Sequence, residues 1–506
     1  MLQLSIDPAQ PTPLVEQIVQ AVRHQVDDRI LRPGMRLPPI RKLAELQQVS
    51  RFTVVEAYDR LVALGYLQSR RGSGFYIAPQ RVTTSRKPSP RLADQAVDVA
   101  WLMRQALDDS PDLLKASAGW LPAEWLDQEG LRRHLRSLGR RTDAKVAGYG
   151  NPQGYLPLRQ QLQIRLAEFG IGAPPEHIML THGATQALDI AARHLVKPGD
   201  TVFVDDPGYF NFFGNLRLLG AKLVGVPRGI DGPDIDVLEE LLATHRPKVF
   251  FTHSVLHNPT GANLAPPVAF RLLQLATRHD FLVIEDDTYA DMQPTSTTRL
   301  ANLDQLDRVI YVGSFSKTLS GSLRVGFLAA RPDLITQFTD VKALTAVTTS
   351  EFTEQLVYQM LTEGHYRKYV ERLHGRLAEA TARTLRMLER LGMEVFHEPK
   401  SGVFIWARAP QVEDSAPLAS RAAESRIMLA PGKVFRPQMQ ASPWLRFNAA
   451  FSIDARLERF LGDALATLKT QHGDLVVAVP SHRAVAYRDA LIRRSLSGCT
   501  GRALCG

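Results

Sequence analysis

Two hydrophobic rhythms run along this chain. Near its start apolar residues recur at helical spacing: Leu14, Ile18, Val22 and Val26 share one face, which predicts a helix from Pro13 ending before Pro33-Gly34. A second short helix is predicted from Pro39 to about Gln47, with Ile40, Leu43 and Ala44 inward. Ser50 is a good helix cap, and the third helix it opens is expected to bury Val54, Tyr58, Leu61 and Leu64 before Gly65 stops it. Tyr66–Ser69 and Gly74–Ile77 read as two short strands joined by Arg70-Arg71-Gly72-Ser73. That tip sets two arginines beside glycines and suits close approach to a phosphate backbone.

From about residue 113 to 469 the rhythm changes to short apolar runs alternating with helical patterns. Candidate strands are His177–Thr181, Thr201–Val204, Lys222–Val226, Lys248–Thr252, Phe281–Ile284 and Arg308–Val312. Such a series predicts an α/β fold with a mainly parallel sheet covered by helices on both faces. Ligands of these sheets sit beyond the carboxyl ends of the strands. Residues 366–396 are strongly helical and lead into a strand at Gly402–Trp406. Between the two rhythms, residues 79–112 are rich in Pro, Ser and basic residues without a periodic apolar face, and read as a connector. Residues 470–506 match neither pattern and are expected to be disordered or a poorly packed extension of unknown role.

Composition changes this picture little, and charge changes it more. A chain of 506 residues is too long for one ordinary core. No run of eighteen apolar residues occurs, and Met1-Leu-Gln-Leu-Ser-Ile-Asp7 lacks the basic and apolar regions of a signal peptide, so a cytoplasmic protein is expected. Two cysteines, Cys499 and Cys505, cannot make a disulfide framework or a four-ligand metal site. The net charge of +9 is concentrated: residues 1–90 hold 13 Lys and Arg against 7 Asp and Glu, residues 470–506 hold 5 against 2, and the rest is balanced at 43 each. A basic front on a neutral body suggests a polyanion-binding module joined to something else.

The chemistry lies after the strands. The first is followed by Gly183-Ala-Thr-Gln-Ala-Leu188, a small-residue turn opening a helix, where free N–H groups and the helix dipole suit a phosphate. The next carries Asp205-Asp-Pro-Gly-Tyr209, with an aromatic that could stack on a ring. His257-Asn-Pro-Thr-Gly261 presents an amide on a rigid turn, and Glu285-Asp-Asp-Thr-Tyr289 presents a carboxylate with a phenol three residues on. After Arg308–Val312 comes Ser314-Phe-Ser-Lys-Thr-Leu-Ser-Gly-Ser-Leu-Arg324. A lysine at a strand end can bind an aldehyde cofactor as a Schiff base, while hydroxyls and a guanidinium hold its phosphate. Five strand ends together supply what pyridoxal 5'-phosphate needs. His253 and His257 stand four apart but flank a turn and show no third ligand in sequence, so no metal is expected.

Residues 13–78 resemble the winged helix-turn-helix of the GntR family at Leu37-Pro-Pro-Ile-Arg41, Val49-Ser-Arg-Phe-Thr-Val54, Leu61-Val-Ala-Leu-Gly65 and Arg70-Arg-Gly-Ser-Gly74. The resemblance implies that Arg41, Arg51, Phe52 and Thr53 face the major groove and that Arg70, Arg71 and Gly72 make the wing contact. Val55 stands where some members carry an arginine, so part of that contact set is absent. The body resembles fold-type I aminotransferases at Tyr149-Gly-Asn-Pro-Gln-Gly154, Leu158-Arg159, Gly183-Ala-Thr185, Asn258-Pro-Thr-Gly261, Asp286 with Tyr289, Ser314-Phe-Ser-Lys317, Arg324 and Trp444-Leu-Arg-Phe447. This implies that Lys317 is the Schiff-base lysine and that Asp286 pairs with the pyridinium nitrogen. Asp286 is preferred to Asp287 by its three-residue offset to Tyr289. Asn258 and Tyr289 would bond the phenolic oxygen, and Tyr209 would stack on the ring. Gly183, Ala184, Thr185, Ser314, Ser316 and Arg324 would hold the phosphate, and Tyr149 would reach across from a partner subunit. Arg446 would pair with the carboxylate of an effector.

Together the parts resemble MocR-type regulators, with a DNA-binding domain at 1–78, a connector at 79–112, an aminotransferase-like domain with a smaller C-terminal lobe at 113–469, and a tail at 470–506. The resemblance implies a regulator that binds double-stranded DNA at repeated half-sites as a head-to-tail homodimer. It would sense an amino acid or related amine through an external aldimine. A working aminotransferase with an accessory basic domain, and a DNA-binding module on a scaffold that no longer holds cofactor, are the alternatives.

Overall fold

Three helices and a hairpin form the first of two compact units, residues 1–89, in a computed structural model. The structure describes residues 6–7, 10–28, 30–70, 73–78, 99–108, 110–140, 148–294 and 296–473. Helices α1 (Leu14–Asp27), α2 (Ile40–Gln47) and α3 (Arg51–Ala63) precede strands β1 (Leu67–Arg70) and β2 (Gly74–Ile77), which pair antiparallel from Leu67 with Ile77 to Arg70 with Gly74. The α2–α3 turn passes through Gln48 in the left-handed region, φ +51°, and Ser50 then caps α3 by accepting the Thr53 N–H at 3.0 Å. Ile18, Val22, Val26, Leu43, Val54, Tyr58 and Leu61 close one core, as their spacing predicts. Leu64, expected in that stripe, is instead exposed, because α3 ends at Ala63 and Ala57 takes the inward position.

The second unit begins at residue 90. Its main sheet has eight strands in the order β3-β10-β9-β8-β7-β4-β5-β6. These are β3 (Ile178–Thr181), β4 (Thr201–Asp206), β5 (Lys222–Gly229), β6 (Gly232–Pro233), β7 (Pro247–Thr252), β8 (Leu282–Asp286), β9 (Val309–Ser314) and β10 (Gly326–Ala329). The run from β5 through β4, β7 and β8 to β9 is parallel. The six predicted runs all become strands, and the sequence reading misses β10, which lies antiparallel between β9 and β3. Both faces are covered, and side chains alternate between two cores: Phe203, Phe250, Val283 and Tyr311 on one side, Val204, Phe251, Ile284 and Val312 on the other.

A smaller sheet follows, ordered β11 (Glu394–Val395), β12 (Phe404–Arg408), β14 (Trp444–Asn448) and β13 (Ala430–Pro431), with its own core under the helix Ala455–Gly473. The stretch 99–112, expected to belong to the connector, packs instead on this second unit. Its helix Val99–Ala106 turns Trp101, Leu102 and Ala106 into the core, an apolar face hidden by the polar residues around it. The rest of the connector, 79–98, and all of the tail beyond Gly473 lie outside the described residues.

Candidate cofactor site and DNA-reading surface

Parallel strands deliver their carboxyl ends to one edge, and each chemical turn read from the sequence arrives there. Ala184, Thr185, Tyr209, Asn258, Asp286, Tyr289, Ser314, Ser316, Lys317, Arg324 and Arg446 all line a single cavity of about 1240 Å³. Gly183 lies against its wall. Tyr149 does not line this cavity and is 87% exposed.

Asp286 is the charged floor. Its Oδ1 accepts the Thr288 N–H at 2.9 Å and the Thr288 hydroxyl, and its Oδ2 lies 3.5 Å from His253 Nε2. Burial pushes the carboxyl up, but the charge and hydrogen bond of His253 and the bonds from Thr288 outweigh it and hold the group below the ordinary carboxylate value. Asp287 faces the other way, where Arg299 Nε and the Tyr311 hydroxyl donate to its Oδ2 at 2.6 and 2.7 Å. The offset argument from Tyr289 thus selects the carboxylate that faces the cavity. Lys317 opens toward the same space, its Nζ 5.6 Å from the Tyr289 ring and 5.8 Å from the Trp120 ring. Burial is the largest effect on its amine and, with Arg446 and Arg324 near, lowers it to about 8 against the pull of Asp286. Roughly a tenth of the amine is therefore unprotonated at pH 7, far more than an ordinary lysine offers, and that form is the nucleophile.

At the other end the helix Gly183–Leu195 begins without a side-chain cap. Its first N–H groups, with Ser314, Ser316 and Arg324, surround a pocket suited to a dianion. Arg324 sits at φ +52°, and its guanidinium donates to the His182 carbonyl at 2.9 Å and to Ser316 Oγ at 3.4 Å. Gly183 is at φ +73°, where a Cβ would meet Arg324 Nη2 at 2.8 Å, so only glycine fits this cradle. A cationic cup, a facing amine and a buried carboxylate are the donor set of pyridoxal phosphate, and the residues present fit that group.

Arg446, on β14, is 4% exposed and has no carboxylate partner among the described residues. It donates to Asn258 Oδ1 at 2.7 Å and to the Ser117 carbonyl at 2.5 Å, while its Nε is unpartnered. The rings of Phe404, Phe435 and Phe210 lie 4.6, 4.9 and 5.7 Å away. Burial lowers this guanidinium to about 10.

The sequence reading misses the segment 115–124. Gly119 accepts from the Tyr289 hydroxyl at 3.0 Å, and Trp120 covers the lysine. Its only sequence signal is the small-residue run Ala116-Ser-Ala-Gly119 before a tryptophan. The argument that His253 and His257 lack a third ligand is corrected, because Asp205 lies with them, all three buried. That carboxylate already accepts Arg228 Nη1 at 2.9 Å and the Thr252 hydroxyl at 2.8 Å, and burial with Arg228 near pushes His257 down to about 3.

In the first unit Arg41, Arg51 and Phe52 are exposed, while Thr53 is half-buried with its hydroxyl 2.8 Å from Ser50 Oγ. Arg70 stacks on the Tyr76 ring at 4.6 Å. Arg71 and Gly72 lie outside the described residues.

Residues 14–77 match the bacterial regulatory proteins of the gntR family, and residues 123–463 match aminotransferase class I and II. A probable rhizopine catabolism regulatory protein, MocR, of Rhizobium meliloti is 31% identical over 74% of this chain and 77% of its own length. An uncharacterised helix-turn-helix transcriptional regulator of Escherichia coli, YdcR, is 29% identical over 88% and 96%. The crystal structure of the alpha-aminoadipate aminotransferase LysN of Thermus thermophilus, complexed with N-(5'-phosphopyridoxyl)-L-leucine, superposes with a TM-score of 0.67 at 28% identity, over 75% of this chain and 97% of that one. Fold and site thus define a gntR-type DNA-binding domain fused to a pyridoxal-phosphate-binding aminotransferase class I and II domain. The chain belongs to the MocR-type transcription regulators.

Proposed function

We propose that this protein is a pyridoxal-phosphate-dependent transcription regulator that senses an amino acid or related amine. One observation carries the sensing part: the buried, carboxylate-free Arg446 faces the same cavity as Lys317 and Asp286 in a chain that also presents a helix-turn-helix. An unpaired buried guanidinium is costly, and an effector's carboxylate would offset that cost. Gly183, Ala184, Thr185, Ser314, Ser316 and Arg324 would hold the phosphate, Tyr209 would lie against the ring, and Asn258 and Tyr289 would bond its phenolic oxygen. When bound, the cofactor supplies an aldehyde carbon that holds amines covalently and a ring that accepts electron density. Asp286 keeps a proton at the ring nitrogen, and Lys317 offers its amine and can be displaced by an effector's. The rings of Trp120 and Tyr289 flank the half-buried lysine.

The domain limits follow the same reading once the connector is shortened: DNA binding at 1–78, a connector at 79–98, the sensing domain from the helix Val99–Ala106 to residue 469, and a tail at 470–506. The partners are operator DNA with repeated half-sites and a second copy arranged head to tail, with the exposed Tyr149 serving the partner's cavity. A cytoplasmic location is part of the same proposal, since a regulator of this kind needs access to DNA. A working aminotransferase is the second reading, favoured because Asp286, Lys317 and Arg446 all converge on one cavity.

The test combines spectra with DNA binding. Lys317→Ala should abolish the absorbance near the visible edge that the holo protein shows, and the holo protein should bind its own upstream DNA with an affinity that amino acids change. Upstream DNA bound no better than random sequence at several salt concentrations would sink the regulator reading. Sustained conversion of amino acid and keto acid, without any effect on DNA binding, would favour the enzyme.

A further inference from the structure

We infer that the helix α3 recognises thymine through its 5-methyl group, using Phe52 and Val55. This rests on the DNA-binding reading above and names what the recognition helix reads. Val54, Ala57, Tyr58 and Leu61 build the module's core from α3, while Phe52 is 76% exposed and Val55 36%. Three residues apart, they are neighbours on the outward face, with Cβ atoms about 5–6 Å apart. Neither contributes to the core cluster of this unit. The Ser50 cap holds the first turn of α3 in place, so both side chains are presented from a fixed element.

The surroundings select the occupant. Arg51 beside Phe52, and Arg41 and Lys42 on α2, are exposed cations, and no acid stands in the first turn of α3. The positive end of the helix dipole adds to them. Glu56 and Asp59 follow one turn further along α3, with Glu56 held by Arg60, so the cations gather on the N-terminal side of the patch. A small apolar patch flanked there by positive charge matches a polyanion that carries apolar groups, and matches an apolar protein surface poorly. In the major groove the base edges present hydrogen-bond donors and acceptors, and the thymine methyl is their apolar feature. Phe52 and Val55 have no polar side-chain atoms. Against any other edge they would strip water from a donor or acceptor without replacing it, which is unfavourable. Arg51, the first residue of α3 and next to Phe52, is left to pair with guanine or phosphate.

The test needs no variant to begin. Operator DNA is selected from a random pool with the full-length holo protein, and each thymine of the selected site is replaced in turn by deoxyuridine, which removes only the methyl. One or two positions in each half-site should lose roughly three- to fivefold in affinity, the worth of one buried methyl. Phe52→Ala should abolish the sensitivity at one of them, while Phe52→Leu should keep it. A selected site that tolerates every deoxyuridine overturns methyl reading while leaving the regulator intact. Failure to select any preferred sequence overturns the regulator reading as well. Loss of a protein–protein contact in Phe52→Ala, with deoxyuridine sensitivity unchanged, assigns the patch to a protein partner and also overturns the inference.

Discussion

Arg446 keeps its charge in an aromatic box with two neutral acceptors, Asn258 and Ser117, and no anionic partner among the described residues. Arg446→Ala should weaken carboxylate-bearing effectors by about 2–5 kcal/mol, the range for truncating one side of a buried charged pair. Simple amines should be affected less. Titrating an amino acid and the matching decarboxylated amine against both proteins by absorbance checks this, and an unchanged ranking would refute it. At this scale the site was legible where chemistry and position coincide. Asp286 and Lys317 stand within five residues of an apolar run and Arg324 closes the same loop as Lys317, so the sheet had to bring them together. Trp120 and His253 were not legible as site residues: Trp120 meets the lysine across almost two hundred residues, and no local pattern encodes that contact. Thr53 shows a further limit, since its hydroxyl lies 2.8 Å from the capping Ser50 Oγ, a contact that no pattern in the sequence marks.

Elements carry a second kind of information, in how their ends are closed. Glu285, at the end of β8, accepts the N–H groups of Leu300 and Ala301 at 2.8 Å and so caps the short helix Leu300–Asp304 from the sheet side. Burial pushes its carboxyl up to about 7 from an ordinary 4.5. The folded state therefore holds a proton that the unfolded chain releases. Stability from this group is full below pH 4.5, falls as pH rises toward 7, and is constant above. The change should be on the order of 3 kcal/mol. Glu285→Gln should flatten that part of the pH–stability curve measured by denaturant unfolding; an unchanged slope would show that Glu285 is not its source. Six strands were legible because each pairs an apolar run with a turn. Strand β10 was not, because Gly326-Phe-Leu-Ala329 is short, contains no β-branched residue, and starts just after the lysine loop. The helix Val99–Ala106 reads as connector in the sequence because its apolar face spans barely two turns.

For the whole molecule, the uneven charge matters most. The first ninety residues carry the basic excess, and the cavity lies in the unit that follows. DNA affinity should fall steeply with salt, and Arg41→Ala should reduce the slope of log affinity against log salt by roughly one if Arg41 meets a phosphate. A fluorescence-anisotropy salt series measures this, and a change in sequence preference at constant slope would instead make Arg41 a base reader. The two-part organisation was legible from the change of rhythm and the charge division. The arrangement of the parts in a dimer was not, because it depends on surfaces that no periodicity marks.

The bonds from Arg446 to Asn258 and Ser117 also set a threshold. Arg446 stands on the small sheet and Asn258 beyond β7 of the large one, so the guanidinium is a strap between them before any effector arrives. A carboxylate that takes over those two N–H groups would displace both acceptors, whereas one that met only the unpartnered Nε–H would displace neither. At about 1.4 kcal/mol or more for each hydrogen bond to a charged group, each displacement raises the concentration for half-response roughly tenfold. An effector that had to break both bonds would leave the protein silent at trace levels and draw a response only at abundance.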